Sequence, residues 1–357
     1  MRFTRRDLGK LAALGAASRL VAQEEKPFRY CIVGLGRISM QHFMPATKMS
    51  KHCRVTAMVT GHREKADKLM GEYNVPARNI YSYENYDSIA NNPEIDAVYI
   101  ALPNGMHSEY TVRAAKAGKH VLCEKPMANT VAESQAMVDA CKKANKKLMI
   151  AYRCQLEPAN LRAIQLIRDG KIGKVQAIST VNGFNIRAGE WRITKKLGGG
   201  GPLMDMGIYS LNACRYLTGE EPTGDIKAYS ATIDQDGRFK EVEESTSWTM
   251  KFPSGALATC STTYGANQPG EFTVYGSRGV LRMENAFGYQ GQHLIARPQG
   301  EPVIDFSPDE KDPAHFPRLA DHLAEAVLQN QPLKASGEEG LQDMKLIAAI
   351  YQSAGRA

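Results

Sequence analysis

Apolar residues fall into short continuous runs through the first part of this chain and into alternating runs through its middle. Runs at 29–33, 54–59, 97–102, 120–123 and 147–151 have the length of strands and the uninterrupted apolar character of strands buried on both faces. Stretches at 39–48, 63–73, 107–117 and 131–144 lie between them and repeat their apolar positions at helical spacing. Such alternation predicts a parallel sheet with helices on both faces.

The pattern changes after Pro158. A helix at 159–169 precedes strand-like runs at 174–184, 225–233, 245–252, 256–263, 271–276 and 279–283, several split by turn signals such as Pro253-Ser254-Gly255 and Gly276-Ser277-Arg278-Gly279. These predict a mostly antiparallel open sheet, with helices at 203–217, 313–329 and 337–354 covering one face. A length of 357 residues suits two cores. The fold class expected is α/β: a doubly wound parallel sheet over 28–152, then an α+β domain over 153–357 that binds substrate and oligomerises.

Composition narrows the function. Hydrophobic residues at 43% and charged residues at 23% describe a soluble globular protein. The net charge of +7 shrinks once residues 1–22 are set aside, because Arg2, Arg5, Arg6, Lys10 and Arg19 against Asp7 account for +4 of it, leaving +3. A nucleic-acid partner is therefore not expected. That first segment has the twin-arginine order: Thr4-Arg5-Arg6-Asp7-Leu8-Gly9-Lys10, then a weakly apolar stretch at 11–17 too short to span a bilayer. It predicts export of the folded protein to the periplasm, a short arm at 23–27 and no stable membrane span; were the signal not functional, the protein would be cytoplasmic. The seven cysteines show no pairing rhythm and read as buried thiols, and the eight histidines show no metal spacing, so no metal is expected.

Three constellations carry the chemistry. Gly34-Leu35-Gly36-Arg37-Ile38-Ser39 closes the first strand and opens the first helix, where a glycine turn lets backbone N–H groups reach a pyrophosphate; Ser39 stands in place of the third glycine. The second strand ends in Thr60-Gly61-His62-Arg63-Glu64-Lys65 without a carboxylate directly at its tip. Thr60, Arg63 and Lys65 would surround a ribose 2′-phosphate, which favours NADP over NAD. Leu102, Pro103, Asn104 and His107, at the end of a further strand, are expected along the cleft beside the nicotinamide.

Lys125, in Glu124-Lys125-Pro126, follows a strand at the ligand-binding edge of such a sheet and is a catalytic candidate. Arg153 follows the last strand and could steer a polyhydroxylated ligand or form an interdomain ion pair. Four glycines at 198–201 precede Asp205 and Tyr209, which are four apart on one helix face. Asp205 would position a sugar and Tyr209 exchange the proton of its hydroxyl, eased by the Lys125 charge.

Gly34-Leu35-Gly36, Glu124-Lys125-Pro126, Tyr152-Arg153 and the glycine run leading to Asp205-Met206-Gly207-Ile208-Tyr209 together resemble the glucose-fructose oxidoreductase, inositol dehydrogenase and MocA (Gfo/Idh/MocA) family, from about residue 28 onward. Within it the chain most resembles the glucose-fructose oxidoreductase type, where a tyrosine stands in place of the inositol-dehydrogenase histidine. The resemblance implies a Rossmann domain followed by an α/β domain whose open sheet builds a homodimer or homotetramer. It also implies Lys125 beside the nicotinamide, with Asp205 and Tyr209 in proton transfer. The expected activity is NADP-dependent hydride transfer at an aldose C1 or a keto-sugar carbonyl. Alternatives are a plain NAD(P)-dependent dehydrogenase or reductase, an oxidation-assisted glycosidase, or a catalytically silent NADP-binding sensor. The arm that helps trap the cofactor in glucose-fructose oxidoreductase is short here, which leaves permanent retention open.

Overall fold

The computed structural model describes residues 26–309 and 315–356; the twin-arginine segment lies outside them. Six parallel strands form the first sheet: β1 (Phe28–Val33), β2 (Cys53–Val59), β3 (Ile80–Tyr81), β4 (Ala97–Ile100), β5 (His120–Cys123) and β6 (Leu148–Ile150), in the order β3-β2-β1-β4-β5-β6. Their apolar runs are buried on both faces; β4 is buried at every position. The order reverses between β1 and β4, and a doubly wound sheet opens its ligand crevice at the carboxyl ends of its strands at such a point.

The second sheet has eight strands: β7 (Val175–Gly183), β8 (Lys227–Ala231), β9 (Ser245–Lys251), β10 (Leu257–Thr263), β11 (Gln268–Gly276), β12 (Gly279–Glu284), β13 (His293–Pro298) and β14 (Ile304–Phe306). They lie in the order β14-β13-β12-β11-β7-β10-β9-β8, antiparallel except where β10 runs parallel to β7. Alternation sets the faces: Trp248 and Met250 of β9 point into the core, while Ser247 and Thr249 point out. Helix Ile208–Thr218 covers the inner face. Strands β13 and β14 were not apparent from the pattern, because β14 is too short for an alternation and Pro298 closes β13.

The last two helices depart from the expected arrangement. Helix His315–Leu328 covers the first sheet, not the second: Phe316, Leu319, Ala320 and Leu323 join the core built on Phe28, Tyr30, Phe43 and Met44, and the Tyr30 hydroxyl donates to the Ala320 carbonyl at 2.9 Å. Helix Gly337–Ser353 packs on helix Val131–Lys143 of the first domain and also reaches β8. Just before it, the Ile150 amide donates to the Ala335 carbonyl at 2.9 Å, so the chain straps the edge of the first sheet. An apolar helix face shows that something covers it, without saying which sheet.

Candidate active site

A cleft of about 900 Å³ opens at the carboxyl ends of β1, β4 and β5 and is closed on its far side by the second domain. The glycine turn forms one end. Gly34 has φ +95°, and a Cβ there would lie 2.7 Å from the Ala101 carbonyl, so only glycine fits. A Cβ on Gly36 would meet no atom within 4 Å, which leaves its backbone open to the cleft. Leu35 is buried in the core, Arg37 and Ile38 line the cleft, and Ser39 donates to the Gly34 carbonyl at 2.5 Å, pinning the turn to the helix it opens.

In the turn after β2, the buried Thr60 hydroxyl accepts from the His62 amide at 3.0 Å, and Gly61 faces the Tyr83 ring. Lys65 reaches the glycine turn, its Nζ 3.4 Å from the Leu35 carbonyl. Arg63 instead turns along its own helix to Asp67 at 2.8 Å, an exposed pair four residues apart. The structure thus brings Lys65, but not the Arg63 guanidinium, to the turn.

Leu102, Pro103, Asn104 and Glu124 line the cleft. Asn104 donates to the Gly198 carbonyl at 2.8 Å, tying this loop to the glycine run, and the half-buried Glu124 carboxylate accepts from the Tyr99 hydroxyl at 2.6 Å. His107 does not line the cleft as expected. It is fully buried, its two ring nitrogens each 2.8 Å from a backbone carbonyl, those of Pro126 and Leu102. Burial pushes its pKa down, and it braces the two strand-end loops against each other.

Lys125 and Asp205 meet across the domains. The ammonium donates to the Asp205 carbonyl at 2.6 Å and to its Oδ1 at 2.9 Å, and sits 4.5 Å from the centre of the Tyr209 ring. Burial alone would lower the Lys125 pKa; Asp205 outweighs it and holds the ammonium above its usual range. Asp205 Oδ2 accepts from Tyr264 at 2.9 Å and from Arg192 Nε at 3.1 Å. Burial works against the carboxylate, yet Lys125 and Arg192 together hold its pKa down at about 2. Both oxygens are therefore engaged, and Asp205 serves the cations around it before any sugar.

Arg153 lines the cleft and has no ion-pair partner among the described residues. It is buried and donates to the carbonyls of Phe287 at 2.5 Å and Gly288 at 2.8 Å, with its guanidinium 5.3 Å from the Tyr209 ring centre and 4.4 Å from that of Tyr289. It clips a loop of the second domain to the end of the first sheet, and Tyr209 lies against both Lys125 and Arg153. Arg153 Nη2 donates to the Tyr209 hydroxyl at 3.5 Å, while the Lys125 ammonium lies over the ring. Sequence reasoning missed Arg192, Trp191, Tyr264 and Tyr289. Trp191-Arg192, an aromatic and a cation in a polar loop, was the one signal available; Tyr264 follows the end of β10 and Tyr289 lies in the loop between β12 and β13, and no spacing rule links either to Asp205.

A glycine cradle open to the cleft, a lysine at its rim and a lysine–carboxylate–phenol group at the strand ends define a dinucleotide-dependent oxidoreductase, and the residues present fit such a cofactor. Residues 28–152 match the family model of an oxidoreductase family with an NAD-binding Rossmann fold (GFO_IDH_MocA), and residues 160–282 match the GFO/IDH/MocA C-terminal domain. The chain belongs to this family. It is similar to a D-xylose 1-dehydrogenase [NADP(+)] of Haloarcula marismortui, 32% identical over 92% of this chain and 91% of that protein. It is also similar to an inositol 2-dehydrogenase of Rhizobium meliloti, 28% identical over 91% and 96%. The crystal structure of an aldose-aldose oxidoreductase from Caulobacter crescentus, complexed with glycerol, superposes with a TM-score of 0.89 at 43% identity, covering 92% of this chain and 98% of that one.

Proposed function

We propose that this chain is an NADP-dependent sugar oxidoreductase acting at an aldose C1 or a keto-sugar carbonyl. The observation that carries this is the Lys125 ammonium, locked onto Asp205 and lying over the Tyr209 ring in a cleft that starts at a glycine cradle. The xylose dehydrogenase named for NADP and the aldose-aldose oxidoreductase support the sugar class and the cofactor. Gly34, Gly36, Arg37 and Ile38 would hold the pyrophosphate side, Lys65 and Thr60 the 2′-phosphate, and Leu102, Pro103, Asn104 and Glu124 the nicotinamide side. When bound, the nicotinamide supplies the hydride acceptor or donor.

The residues of the chain govern the proton. During oxidation the Tyr209 phenolate accepts it from the sugar hydroxyl as the hydride leaves the same carbon, during reduction the phenol returns it to the carbonyl oxygen, and Lys125 stabilises the negative charge on whichever of these oxygens lacks the proton. Asp205 keeps Lys125 charged and in place. Arg153 fixes the loop at 287–289 that walls the site.

The similarity to an aldose-aldose oxidoreductase favours cofactor recycling between two sugars over a single dehydrogenase turnover. Purified protein with one equivalent of NADP tests both. Adding an aldose should raise the absorbance of reduced nicotinamide, and adding a second sugar should lower it again without cofactor release. Absence of any reduction across a panel of aldoses sinks the proposal; reduction without reoxidation leaves a plain dehydrogenase.

Export to the periplasm and assembly through the exposed sheet face, where Tyr229, Leu257 and Tyr275 stand out, are part of the same proposal. Changing Arg5 and Arg6 to Lys should retain the protein in the cytoplasm, and Tyr229→Asp with Tyr275→Asp should lower the sedimenting mass. Unchanged fractionation or mass would refute each in turn.

A further inference from the structure

Asp205 Oδ2 already accepts two hydrogen bonds and Oδ1 one, so a sugar bound beside Lys125 with several hydroxyls has at most one Asp205 acceptor site left and no donor from it. Lys125 has three N–H groups, and two are directed at Asp205, to its carbonyl and its Oδ1. Arg192 is bound to the opposite carboxylate oxygen by Nε alone. Its Nη1 stands 3.6 Å from Glu190, beyond hydrogen-bond reach, and its side chain is 28% exposed and lines the cleft. Several of its five N–H groups thus remain for a ligand.

Arg192 is also pre-organised. Its guanidinium lies 4.5 Å from the Trp191 ring centre, and the segment that carries it rests on a small apolar cluster of its own, formed by Ile186, Ile193, Phe239, Val242 and Tyr264. One carboxylate therefore spaces two cations, Lys125 and Arg192, along one wall of the cleft. We propose that Arg192 binds the substrate directly, donating to a sugar hydroxyl near the reacting carbon, and so sets which aldoses the enzyme accepts. This rests on the sugar oxidoreductase proposal above.

The competing role, that Arg192 acts only by holding Asp205, is separated by Tyr264. Tyr264 holds the same carboxylate oxygen but is fully buried and does not line the cleft. Arg192→Gln should raise KM for the full aldose roughly ten- to hundredfold, as expected for a lost charged hydrogen bond, with NADP affinity unchanged. Against a set of monodeoxy aldoses the penalty should largely vanish for one member, the one lacking the hydroxyl that Arg192 reads. Tyr264→Phe should depress kcat and leave KM and the deoxy-sugar pattern alone.

The idea is overturned if Arg192→Gln lowers kcat alone, as Tyr264→Phe does, with an equal penalty across all the deoxy sugars. Sugar binding to the NADP-loaded protein, followed by Trp fluorescence, keeps the two proposals apart. Arg192-dependent binding without turnover would support the present inference while defeating the proposed activity, whereas turnover with Arg192-independent sugar binding would do the reverse.

Discussion

Tyr209 and Asp205 illustrate how residues four apart on a helix divide their labour once the structure is known. Tyr209 lines the cleft against two cations, while Asp205 is engaged on both oxygens. Tyr209→Phe removes a hydroxyl and almost no volume, so folding and NADP binding should persist while turnover falls roughly 10²–10⁴-fold, the usual effect of a lost general acid or base. Combining it with Lys125→Ala should cost less than the product of the single losses, because the two act as a unit. Steady-state turnover at saturating sugar checks both, and near-normal turnover by the phenylalanine variant would remove Tyr209 from proton transfer. Asp205 makes a prediction of opposite kind. Its pKa lies near 2 in the fold against about 3.9 in an unfolded chain, so its contribution to stability is full above the unfolded value and lost as pH falls through the folded one. Asp205→Asn should therefore be least stable relative to the parent near neutral pH, with the gap closing between about pH 4 and pH 2. Denaturant midpoints across that range measure it, and a gap independent of pH would mean the carboxylate charge contributes nothing.

The elements around the cofactor turn show what one-dimensional pattern can and cannot place. Helix Arg63–Tyr73 and strand β5 stand where the apolar spacing put them, because each has a single periodicity and clear ends. The same pattern could not tell which way a surface side chain leaves its helix. Arg63 and Lys65 were equivalent in sequence as partners of a 2′-phosphate, yet Arg63 pairs with Asp67 four residues on while Lys65 folds back to the Leu35 carbonyl. Lys65→Ala should accordingly weaken NADP binding far more than NAD binding, and Arg63→Ala should change neither by more than a few-fold. Titration of each variant with both cofactors is the measurement; an NADP-selective loss in Arg63→Ala with none in Lys65→Ala would move the phosphate contact back to Arg63. His107 failed for a related reason: its position after a strand was legible, but whether it faced the cleft or the two carbonyls beneath depended on the path of Pro126. Arg192 and Tyr264 were beyond the reach of spacing, since they approach Asp205 from segments 13 and 59 residues away.

Over the whole molecule, the two domains are joined by more than the chain between them. Helix His315–Leu328 follows the second sheet in sequence but packs on the first, and at its start His315 is buried with Nδ1 3.3 Å from Arg153 Nη1, the same arginine that holds the carbonyls of Phe287 and Gly288. Three segments of the chain therefore converge on one guanidinium under the active site. Burial, reinforced by the Arg153 charge, pushes the His315 pKa down to about 3, so the ring is neutral in the fold and its Nδ1 accepts a hydrogen bond from the guanidinium. In the unfolded chain it titrates near 6.5. Below that pH the unfolded state binds a proton that the folded state refuses, so stability should fall as pH drops from about 6.5 toward 3, by at most about 1.4 kcal/mol per pH unit for this one group. His315→Asn keeps an acceptor for Arg153 but cannot titrate, so its stability should decline less steeply over the same interval, even if it starts lower near neutral pH. Denaturant unfolding of both proteins at several pH values between about 4 and 7 decides the matter. Parallel slopes would mean that acid enters the molecule elsewhere, for instance at His120, whose pKa burial lowers to about 4.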